Sequence, residues 1–81
     1  SQLRRASISI PSNLAEGAGR KSTKEFIQFL YIALGSSSEI ETQLEIAMRL
    51  GYMKNQANTF DLLTDIRKLI QGLIRSLKKK V

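Results

Sequence analysis

Glu41 and Glu45 stand four residues apart, a spacing that sets two carboxylates on one helix face, where they could share a metal ion or a proton. Helical bundles that hold paired metals on such glutamates add a histidine three residues from one of them. This chain has no histidine and no cysteine, so the pair reads as a solvated acidic face, with Glu45 reaching toward Arg49. Without imidazole or thiol, acid–base or nucleophilic chemistry would rest on carboxylates and lysines that no motif gathers. The expectation is therefore a non-enzyme: no catalytic residue, no metal and no cofactor. Asn13 and Glu16, beside Pro11, form the other polar pair. They could line a site, but capping and local hydrogen bonding is the preferred reading.

The chemistry that remains is electrostatic. The net charge is +6 and the pI about 10.1. Arg4, Arg5, Arg20, Lys21 and Lys24 against Glu16 give +4 over residues 1–24. Residues 25–53 carry −3, with Arg49 against Glu25, Glu39, Glu41 and Glu45. Residues 54–81 carry +5, and their basic side chains include Arg67, Lys68, Arg75, Lys78, Lys79 and Lys80. Such a balance suits nucleic acid, an anionic membrane surface or an acidic protein. The candidate phosphate-binding residues are Arg4, Arg5, Arg20, Lys21, Lys24, Arg75, Lys78, Lys79 and Lys80. Against this stand a solvated helix end with a Glu16–Arg20 pair, and a frayed lysine tail. Tryptophan is absent, and neither Tyr31 nor Tyr52 is interleaved with the lysines, so base stacking finds little support in the sequence. The expected binding is directed at the backbone.

Three helical segments must position these charges. Leu3, Ala6, Ile10, Leu14 and Gly17 recur at spacings of three and four, predicting a first helix from Gln2 to about Gly17. Pro11 is expected to kink it rather than break it. Gly17-Ala18-Gly19 is expected to end it through the left-handed conformation glycine adopts at helix C-termini. Ser22-Thr23-Lys24-Glu25 is a capping box that starts a second helix, and Gly51 ends it. Along it, Phe26, Leu30, Ala33, Ser37, Ile40, Leu44 and Ala47 make an alternating four-three seam. The seam keeps its phase through Gly35-Ser36-Ser37-Ser38, which favours one continuous helix over a loop. A third helix begins near Asn55 and presents Phe60, Leu63, Ile66, Leu69, Ile70, Leu73, Ile74 and Leu77.

The fold expected is all-α, an up-down antiparallel helical bundle, with residues 1–81 as one domain. The first half of the second helix is apolar nearly all round, and a helix apolar all round is buried all round. At 81 residues one core is marginal, and disulfides are ruled out, so self-association is expected. Ile27, Tyr31, Ile32, Leu34 and Gly35, off the main seam, are the candidate oligomer interface. Gly35 is expected to mark a close helix–helix approach.

Several runs carry a family resemblance: Gln2-Leu3-Arg4-Arg5-Ala6, Ser9 to Gly17, Lys24-Glu25-Phe26, Ala33-Leu34-Gly35-Ser36, Glu39 to Leu44, and Arg49-Leu50-Gly51-Tyr52. Together they resemble the four-helix-bundle proteins encoded in intervening sequences of bacterial large-subunit ribosomal RNA genes. The accessory variability protein of diversity-generating retroelements is a related branch. The resemblance implies an up-down four-helix bundle, a ring-like pentamer and, in the retroelement branch, a basic surface that contacts nucleic acid and a reverse transcriptase. The family has a further helix before the Gln2-Leu3-Arg4-Arg5 run, which this chain is expected to lack. The start at Ser1, already in an apolar pattern, also looks like an entry in mid-architecture.

The functional expectation is a non-enzymatic, oligomeric, cytoplasmic scaffold whose basic surface binds RNA or DNA as an adaptor. One rival is a pure protein–protein interaction module. A second is a membrane-surface protein using Leu69 to Lys80 as a basic amphipathic helix. No apolar run is long enough to span a membrane.

Overall fold

The computed structural model describes residues 2–20, 22–52, 54 and 57–80, with the backbone alone for residues 2–4 and 6. The described residues form three helices and no strand: α1 (Gln2–Ala18), α2 (Thr23–Arg49) and α3 (Ala57–Lys78). The chain is all-α. Consecutive helices pack side by side and run antiparallel, as three successive helices of an up-down bundle do.

Each boundary has a local cause. The Ser22 hydroxyl accepts from the Glu25 N–H at 3.0 Å and so caps α2. At the other end Gly51 takes φ +80°, the Gly51 N–H bonds to the Met48 carbonyl, and the Tyr52 N–H reaches back to Ala47. That paired arrangement satisfies two of the carbonyls a helix end leaves free. α1 runs unbroken through Pro11. Its end needs a correction: no glycine there adopts positive φ, and the Gly19 and Arg20 N–H groups bond to the Ala15 and Gly17 carbonyls instead. The expected N-cap at Asn55 lies outside the described residues.

α2 is the centre of the fold. α1 and α3 each pack along it, while no Cα of α1 comes within 8 Å of one in α3. The result is an open slab whose Cα atoms span 45 × 22 × 13 Å. Leu30, Ala33 and Ser37 are fully buried between the flanking helices, and Ile10, Ile27, Ile40, Leu44, Leu63, Ile70 and Ile74 complete the core.

α1 comes close because small residues line its path. A Cβ placed on Gly17 would stand 2.8 Å from the Phe29 Cβ and 2.9 Å from a Phe26 ring carbon. Near the middle of the contact the buried Ser36 hydroxyl donates to the Ser9 hydroxyl at 2.9 Å. Asn13 donates to the same hydroxyl and to the Ser9 carbonyl, which is the local role preferred for it from sequence. The Ser37 hydroxyl donates to the Leu34 carbonyl, so the serines sit in a continuous helix without leaving a buried hydroxyl unpaired.

Candidate nucleic-acid interface

Antiparallel packing sorts the charges by height along α2. α1 delivers Arg20 to the end of the molecule where α2 begins with Lys24, and α3 climbs back toward that end with Arg75, Lys78, Lys79 and Lys80. The Lys78 Nζ lies 5.3 Å from the centroid of the Tyr31 ring, fixing the register of the two helices. Tyr31 is about 12 Å down α2 from its first residue at the α-helical rise. The two basic groups that lie far apart in sequence thus share one end, where the described acidic side chains are Glu16 and Glu25. Glu16 binds Arg20 at 2.6 Å on an exposed surface, and the Arg20 guanidinium also stacks 5.0 Å from the Phe29 ring centroid.

Arg5 does not belong to this end. It sits 15 residues before Arg20 on or near α1, about 22 Å away along the axis. Lys21 and the side chain of Arg4 lie outside the described residues. The opposite half holds Glu39, Glu41, Glu45, Asp61 and Asp65 among Arg49, Lys54, Arg67 and Lys68, a mixed surface. There Glu41 forms an ion pair with Arg67 across α2 and α3, while Glu45 and Arg49 make no ion pair with each other.

The candidate oligomer residues divide. Ile27 is buried in the chain's own core, and Leu34 is partly buried against it. Helices on both flanks of α2 widen its buried arc beyond a single seam, and these two positions fall within it. Within the chain no helix makes the close approach expected at Gly35: nothing lies within 4 Å of a Cβ built there. Ser36 and Ser37, the next positions around the helix, take the buried role. Gly35 instead belongs to an outward stripe with Gln28, Ile32, Glu39, Thr42 and Ile46, spaced four-three-four-three-four. Ile32 and Ile46 are each half exposed on it. Tyr31 stands at the stripe's edge and turns toward α3, under Lys78.

The same register forms a cleft of about 310 Å³ between α2 and α3, lined by Tyr31, Leu34, Gln71, Ile74, Arg75 and Lys78. Sequence reasoning missed it, and Gln71 with it. Counting outward in equal steps from the turn after Gly51 would have set Tyr31 opposite the start of the lysine run.

These features define a class: an antiparallel all-helical bundle with a cationic end and, on its central helix, an outward stripe that carries two half-exposed isoleucines. A family model described as 23S rRNA-intervening sequence protein matches residues 1–75, and the chain belongs to that family. Among proteins with curated descriptions, none matches the chain. Among the described residues no helix is long and apolar enough to cross a membrane.

Proposed function

We propose that the protein is a non-enzymatic, self-associating cytoplasmic scaffold that binds RNA or DNA through its cationic end and acts as an adaptor. The supporting observation is the convergence of Arg20 and Lys24 with Arg75, Lys78, Lys79 and Lys80 at one end of the bundle. A field of one sign concentrated there attracts polyanions, while the mixed half of the molecule repels or ignores them. Arginine adds a forked donor for phosphate oxygens, and lysine adds a flexible point charge. The outward stripe with Ile32, Gly35 and Ile46 suits packing against another copy, with a pentamer the stoichiometry that the family resemblance implies. Repeating the cationic end around such an assembly would multiply weak contacts into useful avidity.

Binding should weaken steeply as salt rises, each lost phosphate contact removing about 0.9 from the log–log slope on duplex. Filter retention or fluorescence anisotropy across a salt series measures this. Reversing Arg20 and Lys24 to glutamate should weaken binding as reversal at Arg75 and Lys78 does, whereas Arg5→Glu should matter much less. If removing Lys79 and Lys80 alone abolishes binding, the effect is that of a polycationic tail. If the parent fails to bind either polymer at low salt, a protein-interaction module becomes the better reading.

A further inference from the structure

We propose that the cleft between α2 and α3 is a subsite for one unpaired nucleotide, its base against Tyr31 and its phosphate between Arg75 and Lys78. This rests on the nucleic-acid reading above and adds a preference for single strands that backbone contacts alone do not provide.

The lining determines the chemistry of the occupant. Leu34 and Ile74 give an apolar floor, Tyr31 an aromatic wall, Gln71 an amide that both donates and accepts, and Arg75 and Lys78 two cations. No carboxylate lines the cleft. A ligand that matches all of these is planar and partly apolar, carries a hydrogen-bonding edge, and is anionic at one side. Bare phosphate would leave the apolar floor unused, and a hydrocarbon would leave both cations unanswered. At about 310 Å³ the cleft lies near the small end of ligand sites, enough for one base and too little for a helix.

Tyr31 is 46% exposed, so its ring is accessible from solvent, and the Lys78 ammonium rests over it at 5.3 Å. A cation over a ring occupies the surface a base would stack on. Lys78 is itself exposed at the end of a flexible stem, so an entering base can take its place while the ammonium swings to the phosphate. Stacking of this kind tolerates any base.

Tyr31 and Tyr52 are the only tyrosines and tryptophan is absent, so in a Tyr52→Phe background emission reports Tyr31 alone. The probes are a short single-stranded oligonucleotide, a blunt duplex of equal length, and uridine monophosphate. The expected result is tighter binding of the single strand with quenching of Tyr31. Tyr31→Leu should lose roughly tenfold for the single strand, the scale of one stacked base, with little change for duplex. Tyr31→Phe should keep the preference. Equal binding of strand and duplex with unchanged emission overturns the subsite and leaves the backbone-binding reading standing. So does an unchanged preference in a folded Tyr31→Leu protein. Quenching by the monophosphate without binding of either polymer supports a nucleotide pocket and removes the nucleic-acid reading, whereas no response to any probe removes both.

Discussion

Two helical glycines, Gly17 in the last turn of α1 and Gly35 in the middle of α2, carry opposite consequences. Gly17 has Phe29 and Phe26 where a Cβ would go, and the nearest of these atoms is itself a Cβ, tied to the backbone of α2. Gly17→Ala therefore forces α1 and α2 apart. Overpacking costs about 1–3 kcal/mol, and alanine's better helix propensity returns about 1 kcal/mol. A lower melting temperature is expected by circular dichroism. Gly35 has open space in place of those rings, so Gly35→Ala should stabilise the single chain by about 1 kcal/mol. From sequence Gly17 was expected on the apolar stripe and at the end of α1, and Gly35 at a close contact; within the chain it is Gly17 that meets a neighbouring helix. What separates them is which neighbour passes by, and only the packed partner settles that.

The elements themselves were legible because their signals are local. A capping serine, a terminal glycine and a four-three seam each act within a turn or two, so the bounds of α2 and its continuity through the serines could be read directly. Contacts between helices depend on register, which local signals do not carry. Glu41 was read with Glu45 as part of a solvated acidic face, yet it pairs with Arg67 on α3. Both partners remain about a third exposed, which limits the gain. A double-mutant cycle with Glu41→Ala and Arg67→Ala should return a coupling of about 1 kcal/mol or less, diminished by salt. A coupling near zero would mean that apolar packing alone sets the register of α3.

For the whole molecule, charge and apolar surface fall in different places. The cationic end collects groups that a linear reading kept apart, and Arg5, grouped with them by sequence, lies well down the slab. The outward stripe of α2 leaves Ile32 and Ile46 half exposed, and Leu62 and Leu69 on α3 are more so. Large apolar side chains left this exposed on so small a chain are expected to drive association. Sedimentation equilibrium at tens of micromolar should report a mass well above the 9.1 kDa of the chain. Ile32→Glu with Ile46→Glu should return it toward that value without loss of helix. A parent that remains at the monomer mass would leave the stripe as plain solvent-facing surface. Because α1 and α3 rest on α2 and not on each other, the slab also has no reason to come apart all at once. α1 is held by the Gly17 and Ser9–Ser36 approaches, while α3 packs less closely. α3 is thus expected to act as a cooperative unit of its own, detaching while the α1–α2 hairpin persists. Its backbone amides should trade hydrogen for deuterium through a low-energy opening, earlier than those around Leu30 and Ala33. The Tyr31 cleft, having one wall on each side of that seam, would then open and close with it.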